Sequence, residues 1–300
     1  MRPRSLLLPS AGLLLAVHVV GVLTSAPILR HAEVLAVALI LAYALVVGLP
    51  SPLWVVPAGL VVVAVDAWST MPVDPADAGY RWHVLEPGPP PKFTEGLWTG
   101  LELTWAALVF VLLLAFVNRP AGRRVTAGGR PRTDRPASGR LVIGLLLAAG
   151  AMLGYAVFRA VEVRRNTMEI ELADQHDGQP GIGVLAAAVL APLALALAAL
   201  LLAVLLLRQG RWRATGGAVL LVVAALFHID AALAPYTLLP LSPARGTVFT
   251  GVVVSPILVM APALAVAAEL TGYLLLVAGL RPDRPVRHRA TGDHPRPTVG

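Results

Sequence analysis

The stretch that decides the fold runs from Val184 to Leu207 and reads VLAAAVLAPLALALAALLLAVLLL, 24 residues without a charged side chain. A helix of about 20 apolar residues is long enough to cross the roughly 30 Å hydrocarbon core of a bilayer. Helices at the surface of soluble proteins have one apolar and one polar face, whereas this stretch is apolar on all sides. It therefore predicts a transmembrane helix.

Seven other apolar segments accompany this one in a chain of 300 residues, of which only 14% are charged. Soluble domains carry about 25% charged residues. The eight segments are approximately 6–28, 32–49, 52–68, 97–117, 141–161, 184–207, 217–234 and 248–279. Pro50 and Pro52 divide the second segment from the third, because two prolines would break a single helix. The sequence predicts an all-α, polytopic membrane helix bundle of about eight transmembrane helices.

The basic residues set the predicted orientation, since cytoplasmic loops of membrane proteins carry an excess of Lys and Arg. With the N-terminus inside, 17 of the 24 basic residues fall on the inner side, and the outer loops 69–96 and 162–183 carry more acids than bases. Both termini are therefore expected in the cytoplasm. The abundance of Ala, Leu, Val, Gly and Pro is typical of a GC-rich bacterial genome, so we expect a bacterial plasma membrane.

The first apolar segment also has a second interpretation. Met1–Arg4, the apolar core that follows and Thr24-Ser25-Ala26 resemble a secretory signal with a small-residue cleavage site. The apolar run is longer than a typical signal core, so we expect an uncleaved first span. Cleavage of residues 1–26 would leave seven spans and an outer N-terminus.

The chain divides into two four-helix membrane halves, residues 1–117 and 141–280. Each half carries Asp-Ala near the outer end of its third span, at Asp66-Ala67 and Asp230-Ala231. This correspondence is compatible with a parallel repeat of the kind found in transporters. Coincidence within aliphatic sequence is the alternative explanation.

Two basic segments, the loop 118–140 and the tail 281–300, are rich in Arg and Pro and are expected to be disordered on the cytoplasmic side. Their arginines would bind anionic lipid headgroups or serve only to fix the topology. Nucleic-acid binding, which the net charge of +7 also suggests, is not expected, because the arginines lie between membrane spans.

A helix-packing motif, Gly150-Ala-Met-Leu-Gly154, lies in the fifth segment. Small residues at this spacing let two helix backbones approach closely. The sixth segment has alanines at the same spacing, Ala187 and Ala191, then Ala194 and Ala198. The two segments are therefore predicted to pack as an antiparallel pair.

Ionisable residues within the apolar segments mark the candidate functional site, because each costs roughly 2.5–3.5 kcal/mol to insert at the centre of a bilayer. The residues predicted to line a polar cavity open to the outside are Glu33, Asp66, Glu102, His228, Asp230 and Glu269, all of which except Glu269 fall in the outer half of the membrane. Three of these acids, Asp66, Glu102 and Asp230, are candidate counter-charges for a bound cation. Glu269 is the most isolated charge, and a hydroxyl or arginine from another span is expected to balance it, with a proton relay as the alternative.

Local spacing also predicts an ion pair. Arg159 and Glu162 are three residues apart, which places them on one face of a helix at the outer end of the fifth span.

Cofactor sites are not predicted. The chain has no cysteine, which excludes disulfides and thiolate metal sites. A metal or haem bound by His18 and His228 is the alternative interpretation of these histidines, but the sequence contains no ligand spacing such as HxxxH. His228 and Asp230 are two residues apart and would point away from each other on a helix.

The expected function is that of a transporter- or permease-like component with an outward-facing polar site for a cation or small solute. The first alternative is a membrane-embedded enzyme or metal/haem-assembly factor acting at the outer face. The second is a structural subunit that packs against partner membrane subunits. Because nucleotide-binding motifs are absent from the sequence, any ATP-driven activity would need a separate ATPase chain. No motif identifies a reaction, so whether the chain is an enzyme stays open, with the sequence leaning against it.

Overall fold

The computed structural model describes residues 6–24, 26–47, 54–69, 92–118, 139–169, 181–237 and 256–280. Within these ranges the chain forms nine helices and no strand. They are α1 (Leu7–Leu23), α2 (Pro27–Arg30), α3 (Ala32–Val47), α4 (Val55–Ser69), α5 (Phe93–Val117), α6 (Gly139–Glu169), α7 (Ile182–Arg208), α8 (Trp212–Thr237) and α9 (Pro256–Gly279). Helix α2 is a single turn, and the other eight form a bundle. The predicted all-α helix bundle is confirmed.

Four helices in the described ranges are long and apolar enough to cross a membrane, namely Phe93–Val117, Leu141–Arg165, Ile182–Arg208 and Trp212–Tyr236. Shorter apolar helices cover Leu7–Leu23, Ala32–Val47, Val55–Ser69 and Ala263–Gly279. These lengths and compositions are those of a membrane protein.

Several features of the sequence analysis lie outside the described residues. These are Met1–Arg4, Pro50 and Pro52, most of the predicted loops 69–96 and 118–140, half of the loop 162–183, the first part of the segment 248–279, and the tail 281–300.

Five helices form a closed ring in the order α3, α4, α5, α8 and α9, each in contact with the next and α9 in contact with α3. Helix α1 packs outside the ring against α3 and α9. On the opposite side α7 packs against α5 and α8, and α6 lies outermost against α7 and α8. Only 11% of the apolar stretch of α6 is buried, compared with 56% for α7. The ring therefore holds the centre of the molecule, with α6 at its edge.

A close contact between α5 and α7 uses glycines that were not singled out from the sequence. A Cβ atom built on Gly96 would lie 2.3 Å from the carbonyl oxygen of Val184, and one built on Gly100 would lie 2.2 Å from that of Ala188. The Cδ atom of Pro192 is also close to the Gly100 position, at 3.3 Å. Only glycine permits such an approach, so these two residues of α5 form the contact with α7.

The predicted pairing of α6 with α7 is confirmed, but the predicted motif is wrong. Cβ atoms built on Gly150 and Gly154 would have nothing within 4 Å, since both glycines lie on the exposed face of α6. The contact instead uses Ala156, Ala160 and Val163, which pack with α7 residues including Leu185. The spacing of small residues did not reveal which face of an all-apolar helix meets its neighbour.

Candidate functional site

Five of the six residues predicted to line a polar cavity lie one on each helix of the ring. They are Glu33 on α3, Asp66 on α4, Glu102 on α5, His228 on α8 and Glu269 on α9. We call these five residues the acidic cluster. They lie near one another, because the charges of Glu102 and Glu269 act on Asp66, and those of Glu33, Asp66 and Glu269 act on Tyr273. Glu102 is exposed, the other three carboxylates are partly buried and His228 is buried.

His228 and Glu269 form the centre of the cluster. The Nε2 atom of His228 lies 2.8 Å from Oε2 of Glu269, and the hydroxyl of Tyr273 donates a hydrogen bond to Oε1 of the same carboxylate. His228 is 5% exposed, and its other ring nitrogen, Nδ1, is buried and has no hydrogen-bond partner among the described residues. Glu269 therefore receives a hydroxyl from its own helix and an imidazole from α8, whereas a hydroxyl or arginine from another span was expected.

Asp66 connects the centre of the cluster to α5. The indole of Trp105 hydrogen-bonds to its carboxylate, and its charge interacts with those of Glu269 and Glu102. Like charges held near one another in a protein repel, because the surrounding dielectric constant is lower than that of water. Any positive ligand or proton that enters this space would relieve the repulsion.

Glu33 brings in a second histidine from outside the ring. Its Oε2 atom lies 3.4 Å from Nε2 of His18 on α1, and His18 is 3% exposed. The charges of Glu33 and Asp66 also reach Tyr273, the residue that donates to Glu269. The cluster therefore extends across the ring from α3 to α8.

An aromatic contact closes the cluster on the side of the apolar core. The rings of Phe110 and Tyr273 meet edge to face with their centroids 5.1 Å apart, and both residues are 0% exposed. A Cβ atom built on Gly59 would lie 2.3 Å from the Phe110 ring, so α4 also packs against this pair of rings. We call the Phe110–Tyr273 pair the floor of the cluster. The floor leaves the opposite end of the ring as the approach to the carboxylates.

A surface cavity of about 430 Å³ lies at that end, lined by Thr94, Glu95, Trp98 and Thr99 of α5. Glu95, Trp98 and Glu102 are spaced by three and four residues, which places them along one face of the helix. The cavity therefore lies one turn from Glu102.

Asp230 belongs to a separate group of side chains, which we call the arginine cluster. Its carboxylate accepts hydrogen bonds from Nε of Arg159 at 2.6 Å and from the hydroxyl of Tyr155 at 2.7 Å. Arg159 also pairs with Glu162, as predicted from their spacing. Asp230 is only 2% exposed, so its charge is balanced inside the protein by the guanidinium group.

The sequence analysis missed the partners of Asp230, although a signal was present. Tyr155, Arg159 and Glu162 are separated by four and three residues, and this spacing aligns all three on one face of α6. The residue they meet lies more than seventy positions further along the chain, at Asp230. Local spacing cannot supply such a partner.

In the described part of the chain, no group of three or more His, Asp or Glu side chains is arranged to hold a metal ion. His18 and His228, the two histidines considered as metal or haem ligands, contact different carboxylates.

Comparison with known proteins adds no further constraint, because no family model matches the chain, and no curated protein or solved structure is significantly similar to it. The acidic cluster and its surroundings are therefore the basis for inferring function.

Proposed function

We propose that this chain is a transporter- or permease-like membrane component whose acidic cluster binds a cation or a small cationic solute. The observation that carries the proposal is that Glu269, which contacts His228 at 2.8 Å, and Glu102 both act by their charge on Asp66 within a ring of apolar helices. Ionisable groups in such surroundings are costly and mark ion or substrate pathways in membrane proteins. A bound cation would offset the repulsion between the carboxylates.

The position of the histidine supports the same proposal. In its neutral form, with Nε2 donating to Glu269, the buried Nδ1 atom of His228 is an acceptor for a donor group such as an ammonium or a water molecule. Asp230 has no equivalent role here, because Arg159 already balances its charge. The cation site thus consists of Asp66, Glu102 and Glu269, with His228 beside them and Glu33 at the edge.

The proposed topology has eight membrane spans with both termini in the cytoplasm of a bacterium. Eight apolar helices of 15 residues or more and the inward bias of arginine support this arrangement. It directs the acidic cluster and the cavity beside Glu102 outward. The Phe110–Tyr273 floor would then separate the site from the cytoplasmic side.

Cation binding tests this proposal directly. Purified protein is unfolded by heat in detergent with N-methylglucamine as the only cation, and then with Na⁺, K⁺ or tetramethylammonium added. A ligand that binds only the folded state stabilises it by about 2.7 kcal/mol at one hundred times its Kd. We expect at least one of the added cations to raise the unfolding temperature of the wild type.

Matched amide variants assign the effect to the cluster. Asp66→Asn and Glu269→Gln should each abolish the cation-dependent rise, whereas Glu162→Gln, which changes a carboxylate of the arginine cluster, should retain it. Equal rises in all four proteins, or none in the wild type, would refute the site. The effective cation is then tested for uptake into proteoliposomes. Binding without uptake would favour the membrane-embedded enzyme instead.

A further inference from the structure

The turn between α7 and α8 lies at the end of the bundle opposite the acidic cluster and is rigidly built. Gly210 has a φ of 74°, the backbone N–H of Arg211 donates to the carbonyl of Leu206 at 3.1 Å, and that of Gly210 donates to Leu207 at 3.0 Å. This pair of bonds around a left-handed glycine is a Schellman motif. The side chain of Gln209 also donates to the carbonyl of Asn118, at 3.2 Å, which ties the turn to the end of α5. The position of Arg211 is therefore fixed by two helices and a side-chain tie.

Arg211 differs from the other two arginines of this turn. Arg208 and Arg213 are exposed, whereas Arg211 is partly buried and its Nη1 atom is buried without a hydrogen-bond partner in the described part of the chain. A buried donor left unpaired costs about 1–3 kcal/mol, and more when it is charged. A guanidinium group that extends from a fixed backbone position and keeps an unpaired N–H is suited to an anionic oxygen ligand.

We propose that Arg211 is the centre of a binding site for a phosphate group, most simply the headgroup phosphate of a membrane lipid. The planar guanidinium group matches phosphate oxygens with two parallel hydrogen bonds. Trp212, the next residue, is 73% exposed, as expected of an aromatic side chain at the membrane surface where lipid phosphates lie. The amides that begin the 26-residue helix α8 add positive potential beside the guanidinium group.

Native mass spectrometry of the full chain in detergent tests this site. The probes are phosphatidylglycerol and a diacylglycerol with the same acyl chains, which lacks the phosphate. We expect the wild type to bind phosphatidylglycerol at least about tenfold more tightly, the factor that corresponds to one charge-assisted hydrogen bond of about 1.5 kcal/mol. Equal affinity for the two lipids would overturn the proposal without the need for any variant.

Two variants then assign the preference to one arginine. Arg211→Gln should lose about tenfold in affinity for phosphatidylglycerol, the same factor as above, whereas Arg213→Gln should change it less than twofold. Similar losses in both variants, or none in Arg211→Gln, would contradict a specific site. Addition of inorganic phosphate separates the two sources of the ligand: displacement of the lipid indicates a free phosphate ligand, and retention of the lipid indicates a headgroup.

Discussion

The acidic cluster and the arginine cluster both place carboxylates within an apolar helix bundle, but they balance the charge differently. In the arginine cluster, Asp230 accepts from a guanidinium group and a hydroxyl, so a positive charge of the protein neutralises it. In the acidic cluster, Glu269 accepts from an imidazole and a hydroxyl while the like charge of Asp66 acts on it. The first arrangement suits a permanent tie between α6 and α8, whereas the second suits a site completed by a ligand.

The largest expected effect comes from removing the arginine. Arg159→Met would leave Asp230 buried without a counter-charge, and breaking a buried ion pair in this way costs about 3–5 kcal/mol. The free energy of unfolding, measured by denaturant titration in mixed micelles, should fall by that amount. The double variant Arg159→Met, Asp230→Leu should recover most of the loss, since apolar replacement of a whole buried pair is close to neutral. A loss below 1 kcal/mol in the single variant would show that the tie is not structural.

A smaller effect is expected from the two tyrosine hydroxyls. Tyr155→Phe removes one hydrogen bond to the buried carboxylate of Asp230, and Tyr273→Phe removes one to the partly buried carboxylate of Glu269. A hydrogen bond to a charged group is worth about 1.5–3 kcal/mol. Tyr155→Phe should lower stability alone, whereas Tyr273→Phe should also weaken binding of the cation found to stabilise the wild type. Both quantities come from thermal unfolding with and without that cation. If the cation raises the unfolding temperature of both variants equally, the proposed difference between the two clusters is wrong.

The smallest effect on stability is expected for Glu269→Gln. The amide can still hydrogen-bond to His228 and Tyr273, and loss of the negative charge removes its repulsion with Asp66. The free energy of unfolding should therefore change by less than about 1 kcal/mol. The matched change Asp230→Asn turns either an amide N–H₂ group or a neutral, weaker acceptor toward Arg159. It should lower the free energy of unfolding by about 2 kcal/mol or more. Denaturant titration of the two variants side by side makes the comparison. Equal losses would mean that both carboxylates have the same structural role.

The sequence predicted the helices well because membrane helices are encoded by long apolar runs. The stretch 184–207 became α7, Ile182–Arg208, with little change at either end. The ends of helices that extend into polar sequence were less predictable. Helix α5 begins at Phe93, four residues before the predicted segment, and there the backbone N–H of Lys92 donates to the Glu95 carboxylate at 3.2 Å. Helix α6 continues to Glu169, beyond the apolar segment 141–161, through the charged turn around Glu162.

The candidate residues of the site could be identified from the sequence, but their grouping could not. A charge within an apolar run is visible without a structure, which is why Asp66, Glu102 and Glu269 were singled out. Their partners depend on how the helices are arranged, and His228 and Glu269, which are 41 positions apart, carry no signal of their contact. Assignment of Asp230 to a different cluster from Asp66 likewise required the position of α6.

The contact between Gly100 and α7 has a consequence for how the bundle can move. Pro192 has no N–H to donate to the carbonyl of Ala188 four residues earlier, so that oxygen lacks its helical partner. The Gly100 backbone lies against the same oxygen, close enough for a weak Cα–H hydrogen bond to it. Parting α5 from α7 would turn an unsatisfied carbonyl toward lipid at a cost of several kcal/mol. We therefore expect the contact between α5 and α7 to stay intact during any conformational change. An opening motion would then be confined to the α4 and α9 side of the ring.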